Sequence, residues 1–232
     1  MRTHLLVSIS VGAVRRPGKS GEHDPRRSTR GGEAMSKSVL DMSVSLDGFV
    51  CGPNEAPGNG LGDNGLRLHQ WFYNGAETGQ GGIPGRPDNV NGEPMDEIRA
   101  TGAVVAGRGT VEPAGWWKGD HHDGVSIFIL TRTRTPADVE QWPLITVLDD
   151  VSEAIARAKQ AAGDRDVLVH GIGVAAAALS AGVLDEVQLH LVPTILGEGR
   201  HLFEGIGAEP HEFELTRLVE GPGVTHLRYR VL

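Results

Sequence analysis

Residues 167–176 read V-L-V-H-G-I-G-V-A-A, which is an apolar run, two glycines one residue apart, and small helix-forming residues. The apolar run at 167–169 predicts a buried strand, and the glycines open a predicted helix over 174–181. Strands and helices alternate along most of the remaining chain, which favours a mainly parallel sheet joined by right-handed crossovers. The sequence therefore predicts an α/β fold.

Short apolar or alternating segments provide the other predicted strands, which span 39–46, 103–106, 127–130, 144–148 and 185–192. Segments 211–219 and 224–231 alternate around Glu220-Gly221-Pro222-Gly223, a pattern typical of an antiparallel hairpin. We expect this hairpin to add antiparallel strands at one edge of the sheet.

The first predicted strand alternates between apolar and polar residues. Leu40, Met42 and Val44 lie on one face, and Asp41 and Ser43 lie on the other. Strict alternation is typical of a strand with one buried and one solvated face. The sequence therefore predicts a half-buried strand at this position.

Two predicted helices carry recognisable end signals. Residues 66–73 form a short helix for which Asp63 or Asn64 is available as the N-cap. Residues 152–162 form an alanine-rich helix that is expected to stop at Gly163, because glycine tolerates the left-handed backbone of a helix end.

Composition excludes several classes of protein. The chain has 232 residues, of which 39% are hydrophobic, and this length favours one domain or two small ones. The mean hydropathy is −0.21, and the chain has no apolar run of the ~18 residues that a membrane span needs. We therefore expect no membrane association, and enough aliphatic residues are present to build a core.

Charge divides the chain into two parts. Residues 1–34 hold seven basic and three acidic residues, a net charge of +4, and they carry few structural signals. We expect a disordered N-terminal extension there, with a signal peptide or a start codon upstream of the natural Met35 as the alternatives. The whole chain carries −8, which leaves a net charge of −12 on the domain predicted at 35–232 and disfavours nucleic-acid binding there.

Cysteine and histidine usage gives no metal signal. Cys51 is the single cysteine and cannot form an internal disulfide, which suits a reducing cytoplasm. No Cys/His set has zinc spacing. His121-His122-Asp123 lacks further ligands at suitable spacing, so we expect it to be solvated surface.

The glycine turn at 171–173 is the first candidate functional feature. Gly171, Gly173 and Ala176 match G-x-G-x-x-A, in which glycines let backbone N–H groups approach a pyrophosphate at a helix N-terminus. A Rossmann unit would also end its next strand with an acidic residue, whereas Asp185-Glu186 begins that strand. Phosphate binding in a different α/β fold and a tight turn without ligand both remain open.

Two further strand ends carry groups that suit an anion. Gly107-Arg108-Gly109-Thr110 follows the strand at 103–106, and Thr131-Arg132 follows the strand at 127–130. Ligands of parallel sheets bind beyond the carboxyl ends of the strands, so we expect the three turns to meet. Two arginines beside an adenosine ribose would favour NADP over NAD, although Arg132 alone is equally consistent with a solvated surface residue.

Three residues near the first strand are candidates for the substrate side. Asp47, in Ser45-Leu46-Asp47-Gly48, either forms an Asp-Gly turn or reaches the lip of the ligand crevice. His69 belongs to a residue type that titrates near neutral pH, which suits proton donation, and a structural role stays open. Trp71 provides either core packing or a stacking platform for a ring.

Four segments, in this order, resemble the dihydrofolate reductase-like superfamily, and more closely the C-terminal reductase domain of bacterial riboflavin-biosynthesis deaminase-reductases and its stand-alone relatives. They are S-L-D-G-F-V at 45–50, A-V-V-A-G-R-G-T at 103–110, I-L-T-R at 129–132 and L-D-E-V-Q-L-H-L-V-P-T-I-L-G-E-G-R-H-L-F at 184–203. The last is the most specific. The resemblance implies a three-layer α/β fold with a mostly parallel central sheet and a C-terminal antiparallel hairpin.

The same resemblance implies NADPH as cofactor, a small-molecule substrate and a homodimer. The nicotinamide would lie near Asp47, and the substrate would sit between residues 48–52 and the helix that carries His69 and Trp71. The residues that would hold the phosphates and ribose of the cofactor are Gly107, Arg108, Thr110, Thr131, Arg132, Gly171 and Gly173.

Two departures from the family pattern concern the substrate. Dihydrofolate reductases carry a carboxylate on the first helix, whereas residues 66–73 contain neither Asp nor Glu. The riboflavin-pathway reductases usually have E-G-G where this chain has His170-Gly171-Ile172. The exact heterocycle therefore stays open.

We expect a cytoplasmic NADPH-dependent reductase that transfers hydride to a small pterin- or ribosylaminopyrimidine-like substrate. Asp47, His69 or an ordered water would supply the proton. The alternative from another class is an NADPH-binding regulatory or binding module without turnover. A Rossmann-type NAD dehydrogenase is a third hypothesis, which the position of the acidic residues already disfavours.

Overall fold

The structure is a computed structural model that describes residues 36–73, 86–133, 135 and 139–232. The strands in these ranges are β1 (Ser38–Ser45), β2 (Phe49–Cys51), β3 (Ala103–Gly107), β4 (Ser126–Leu130), β5 (Ile145–Leu148), β6 (Val167–His170), β7 (Glu186–Val192), β8 (Arg200–His201), β9 (Phe213–Gly221) and β10 (Val224–Val231). The α-helices are α1 (Gln70–Tyr73), α2 (Gly92–Ala100), α3 (Arg108–Val111), α4 (Val151–Ala162) and α5 (Ile172–Ser180). The predicted N-terminal extension lies outside the described residues.

Eight of the described strands form one sheet in the order β5-β4-β3-β6-β1-β7-β10-β9. Strand β1 pairs in parallel with β6 and β7, and the other pairs on the β5 side are also parallel. Strand β10 runs antiparallel to both β7 and β9. The predicted mostly parallel sheet with a C-terminal antiparallel hairpin is confirmed, and the parallel strands direct their carboxyl ends to one edge.

Helices and short turns cover both faces of the sheet, which gives three layers. On one face, α4 and α5 bury a stripe of small and aliphatic residues against strands β1, β3, β4 and β6. On the other face, Trp116, Val111 and Ile98 pack against Val104 and Ile127. Among the described residues, no helix is both long enough and apolar enough to span a membrane.

Strand β1 is buried on both faces, so the prediction of a half-buried strand is wrong. Leu40 on one face is 0% exposed, while Asp41 and Ser43 on the other are each 5% exposed. The strand lies in the middle of the sheet, where helices cover both faces. The polar half of its alternation therefore marks buried polar groups, which need hydrogen-bond partners inside the protein.

The predicted helix ends are partly confirmed. At the start of α4, the Asp150 carboxylate accepts a hydrogen bond from the Glu153 backbone N–H at 2.7 Å, and Gly163 ends the helix. The predicted cap of the helix at 66–73 is wrong. Asn64 occupies the cap position in a left-handed conformation without a side-chain cap bond, and the Asp63 carboxylate instead accepts from the Asn54 amide at 2.7 Å.

Candidate functional site

A cavity of about 430 Å³ opens at the carboxyl edge of the parallel strands. Its walls come from β1, β2, α2, α3, the β6–α5 turn and the first helix, which consists of the 3-10 helix Gly65–His69 and the α1 turn that follows it directly. Pockets of this size are typical of small-molecule sites. Among the lining residues are Asp41, His69, Phe72, Thr110, His170 and Gly171.

The β3–α3 and β6–α5 turns are in direct contact beside this cavity. Gly171 has φ +99°, and a Cβ atom there would lie 2.3 Å from Thr110 Oγ1. Only glycine permits this approach, because the backbone conformation and the space both exclude a side chain. Gly171 is also the N-cap of α5 and makes no side-chain cap bond, so the first-turn N–H groups of α5 receive no side-chain acceptor from their cap residue.

Arg108 connects the β3–α3 turn to the segment after β4. Its Nε and Nη2 atoms donate to the two carboxylate oxygens of Glu112 at 2.9 Å, and Nη1 donates to Thr133 Oγ1 at 2.7 Å. The Thr133 hydroxyl lies 3.1 Å from Thr131 Oγ1. Hydrogen bonding to Glu112 raises the pKa of Arg108. The structure thus brings all three sequence-predicted turns together, with Arg132 exposed beside them.

Gly107 and Gly173 flank the contact between the two turns. A Cβ atom at Gly107 would lie 3.3 Å from Val174 Cγ2, which is a tight contact with the first turn of α5. Gly173 lies exposed in that same turn, and a Cβ atom there would meet no atom within 4 Å. Close packing explains the glycine at 107, whereas an open surface surrounds the glycine at 173.

Asp47 lies outside the cavity lining, in the turn after β1. Its carboxylate accepts from the backbone N–H groups of Leu196 at 3.2 Å and Gly197 at 2.8 Å. Hydrogen bonding to Ser45, and then to these two N–H groups, lowers the pKa of Asp47 to about 2. Asp47 therefore connects the β1–β2 turn to the segment that follows β7.

Trp71 is also outside the cavity lining and is 6% exposed. Its indole N–H donates to Ser43 Oγ at 3.0 Å, and its ring centroid lies 4.5 Å from that of His190. The neighbouring Phe72 and Tyr73 line the cavity instead. The first helix thus contributes apolar ring surface to the cavity, and Trp71 packs beneath it.

His69 lines the cavity and stacks on Phe72, with 4.9 Å between the ring centroids. Burial, followed by the nearby His170 and His190, lowers the pKa of His69 to about 4. The imidazole is therefore neutral near pH ~7, where it can exchange hydrogen bonds with a ligand but is a poor source of protons.

Sequence reasoning missed several polar groups in the cavity. His121 and His170 both line it, and burial lowers the pKa of His121 to about 2. The prediction of solvated surface for the His121-His122 pair is wrong, because His122 is 8% exposed and lies 3.2 Å from Thr101 Oγ1. His170 was detectable as the last residue of a parallel strand, whereas no local signal indicates His121.

Comparison with solved structures supports the fold. A putative riboflavin biosynthesis protein from Shewanella sp. PV-4 has a TM-score of 0.62 at 19% identity, covering 84% of this chain and 99% of that one. A deaminase/reductase from Thermotoga maritima has a TM-score of 0.55 at 15% identity, covering 85% of this chain and 57% of that one. Dihydrofolate reductase from Enterococcus faecalis has a TM-score of 0.52 at 14% identity, covering 85% and 97%.

No curated protein matches the chain. The family model described as the RibD C-terminal domain matches residues 37–227, which includes the whole parallel part of the sheet and most of the closing hairpin. The predicted relationship to the C-terminal domain of the riboflavin-biosynthesis deaminase-reductases is therefore confirmed, the likeness to dihydrofolate reductase is one of fold, and the chain belongs to the RibD C-terminal domain family.

Proposed function

We propose that the protein is an NADPH-dependent reductase that transfers hydride to a small pterin- or ribosylaminopyrimidine-like heterocycle. The observation that carries this proposal is the contact between the β3–α3 and β6–α5 turns beside one cavity, with Arg108 joining them to the segment after β4. Two structural neighbours are described as a uracil reductase and as a dihydrofolate reductase complexed with NADP(H).

The residues present fit a phosphorylated dinucleotide. Gly171 leaves bare backbone at the start of α5, a nine-residue helix whose N-terminus favours an anion. Gly107, Thr110 and Gly173 would complete the diphosphate site. Arg108, Thr131 and Arg132 would hold the ribose and its 2′-phosphate through charge-assisted and hydroxyl hydrogen bonds. Nε and Nη2 of Arg108 are held by Glu112, so Arg108 would reach the phosphate through Nη1. When bound, the cofactor supplies hydride from its reduced nicotinamide ring.

The cavity chemistry supports a planar heterocyclic substrate. Phe72, Tyr73 and Trp117 offer aromatic surface, and His69 and His170 offer hydrogen-bonding edges. Burial lowers the pKa of both histidines, so they recognise a neutral ring by hydrogen bonds rather than by charge. The first helix carries no carboxylate to bind a pterin, whereas Asp41 of β1 also lines the cavity.

In this proposal, Asp47 is a positioning residue near the nicotinamide, since its carboxylate holds the turn between β1 and β2. Trp71 supports the substrate side from below through its hydrogen bond to Ser43. His69 contacts the substrate and helps to exclude water from the cavity, because its ring stacks on Phe72 in the cavity wall. These three assignments concern binding and orientation, which contribute to catalysis by fixing the reacting groups.

Cofactor binding gives the direct test. Titration with NADPH should quench tryptophan emission, because Trp117 lines the cavity, and energy transfer should appear in the nicotinamide emission. Absence of binding at millimolar NADPH would overturn the proposal.

The missing carboxylate on the first helix favours one competing hypothesis, a binding module without turnover. NADPH oxidation with any member of a pterin and pyrimidine panel would exclude that competitor, and binding without oxidation would favour it.

Homodimerisation and a cytoplasmic location stay predictions. The edge strand β9 exposes Leu215 and Leu218 by 49% and 52%, and such apolar surface on a sheet edge is suited to a partner. Sedimentation should give a mass twice that of the 24.7 kDa chain, and Leu218→Glu should lower this mass.

Cys51 is buried, and burial raises the pKa of its thiol to about 11, which is consistent with a reduced cysteine in the cytoplasm.

A further inference from the structure

We propose that Asp41 and His190 share one transferable proton beneath the cavity, and that Asp41 delivers this proton to the substrate during reduction. The shared proton follows from hydrogen-bond geometry together with the neutral state of the buried His226 ring. Its delivery rests on the proposed reductase function.

A chain of four buried side chains leads from the hairpin to the cavity. His190 Nε2 lies 3.1 and 3.2 Å from the two carboxylate oxygens of Asp41, and His190 Nδ1 lies 2.7 Å from His226 Nδ1. His226 Nε2 lies 3.2 Å from the Asn91 side-chain oxygen. Asp41 is 5% exposed, and His190 and His226 are 1% and 2% exposed, so the hydrogen bonds between the two histidines are shielded from water and only the Asp41 carboxylate reaches the cavities.

Asn91 determines which atoms donate along this chain of hydrogen-bonded side chains. Its amide nitrogen donates to the carbonyl oxygens of Trp71 and Pro222, both at 3.1 Å. Its side-chain oxygen must therefore accept, and His226 Nε2 must carry a proton.

The hydrogen bonds along this chain of side chains require one proton more than two neutral imidazoles carry. The contacts Asn91–His226, His226–His190 and His190–Asp41 each need one proton, whereas two neutral imidazoles supply only two. The third proton compensates the negative charge of Asp41. Burial, followed by His190, lowers the pKa of His226 to about 4, so His226 is the neutral acceptor. The excess proton consequently lies between His190 and Asp41.

Asp41 also lies between two cavities. It lines the candidate substrate cavity, and it lines a second cavity of about 310 Å³ together with Glu97, Asp166 and Arg228. The second cavity is bordered by ionised groups, which hold water readily. It therefore offers a route by which the pair can regain a proton from solvent without passing the substrate.

The groups around the pair favour an ionised Asp41. Burial raises the pKa of Asp41, but the charge and hydrogen bond of His190 outweigh this, and the pKa is lowered overall. The amide nitrogen of Gln188 also donates to Asp41 at 3.2 Å and to Glu97 at 3.1 Å. The other titratable groups that face the pair are His69 from the first helix, His170 from β6, Arg217 from β9, and His226 and Arg228 from β10.

With NADPH bound, a carbon of the substrate's C=N bond would receive hydride from the cofactor, and the π electron pair would move to nitrogen. The excess proton first passes from His190 Nε2 to the Asp41 carboxylate, and Asp41 then donates that same proton to the substrate nitrogen and is again ionised. His190 keeps its Nδ1 proton and is left neutral. Its bare Nε2 then faces a carboxylate, which is an unfavourable pair of acceptors, and a solvent proton entering through the second cavity restores the first state.

Nuclear magnetic resonance of ¹⁵N-histidine-labelled protein tests the shared proton without any ligand. We expect one doubly protonated imidazole near neutral pH, assigned to His190 by its loss in His190→Gln. Asp41→Asn should convert this imidazole to a singly protonated form. Asp96→Asn is the matched control, because Asp96 is an exposed carboxylate that pairs with Arg86, and it should leave the spectrum unchanged. A neutral His190 in the wild-type protein, or a doubly protonated one in Asp41→Asn, would overturn the proposal.

Turnover tests the delivery step. With any heterocycle of the panel that oxidises NADPH, Asp41→Asn should lower kcat by about 100-fold or more, as expected for a lost general acid, and should leave NADPH affinity unchanged. Full kcat in Asp41→Asn would overturn delivery. If the wild-type protein fails to bind NADPH, the proposed function is wrong, and the histidine spectrum still decides whether the proton is shared.

Discussion

Replacing Gly171 by alanine should strongly lower the free energy of unfolding, because Gly171 is buried and has a positive φ. The added Cβ atom would lie 2.3 Å from Thr110 Oγ1, and the residue has φ +99° and ψ 147°. A non-glycine residue in this backbone region costs about 1–3 kcal/mol. The overlap with Thr110 adds to this cost, so we expect a loss of about 2–4 kcal/mol in the free energy of unfolding.

Two companion variants separate the causes of this loss. Gly173→Ala is the matched control, because it lies two residues away and its Cβ atom would meet nothing within 4 Å. It should leave stability unchanged or raise it by about 0.5–1 kcal/mol, since alanine favours a helix. In Thr110→Ala/Gly171→Ala, the nearest atom is removed and only the backbone strain should persist.

Urea unfolding followed by circular dichroism measures all three variants. Adding Thr110→Ala should partly restore the stability that Gly171→Ala loses. A Gly171→Ala protein as stable as the wild type would refute the tight contact between the two turns. Equal losses in the single and double variants would refute the overlap with Thr110 while leaving the backbone strain.

Three further outcomes are expected. Arg108→Ala should weaken NADPH binding, measured by fluorescence titration, by about 10-fold or more relative to NADH, because the guanidinium is assigned to the 2′-phosphate; equal losses for both would contradict that assignment. Asp150→Ala should cost about 1 kcal/mol in urea unfolding by removing the cap of α4, and an unchanged midpoint would contradict it. The pKa of His69 and of His226 is lowered to about 4 in the folded protein, so the unfolded chain binds more protons below pH ~6.5. The melting temperature should therefore fall as pH is lowered from about 6.5 to 4, and a flat profile would contradict the buried neutral histidines.

Local patterns predicted most of the fold because its strands and helices are short, regular and separated by glycines. The unit at 167–176 is one example, since β6, the turn at Gly171 and α5 appear where the sequence places them. The order of the strands in the sheet was not predicted, because a short apolar strand carries no local signal that selects its neighbours. The meeting of three turns at one edge was predictable, because parallel strands share their carboxyl ends.

The polar face of β1 was not predictable from its own residues. Asp41 is buried because β7 places His190 and Gln188 beside it, although both lie nearly 150 residues away in the sequence. The hairpin adds His226, which contacts His190. An alternating strand reads the same whether water or buried partners meet its polar side. The cavity histidine at 121 was missed for the same reason, since its surroundings come from distant parts of the chain.

The first helix carries no carboxylate, but Asp41 on β1 provides one to the same cavity. Asp41 reaches the cavity from beneath, connected to His190, rather than from the helix that carries His69. A strand at the centre of a sheet is more rigid than a short helix, and its groups are held by pairing on both sides. Proton supply from this position would be compatible with substrates that differ from dihydrofolate.

A crystal structure of the protein with NADPH tests the central claim most directly. The account predicts the diphosphate against Gly171 and the N-terminus of α5, the 2′-phosphate beside Arg108, and the nicotinamide facing the cavity that Asp41 lines. A cofactor bound elsewhere, or electron density for none at saturating NADPH, would contradict it.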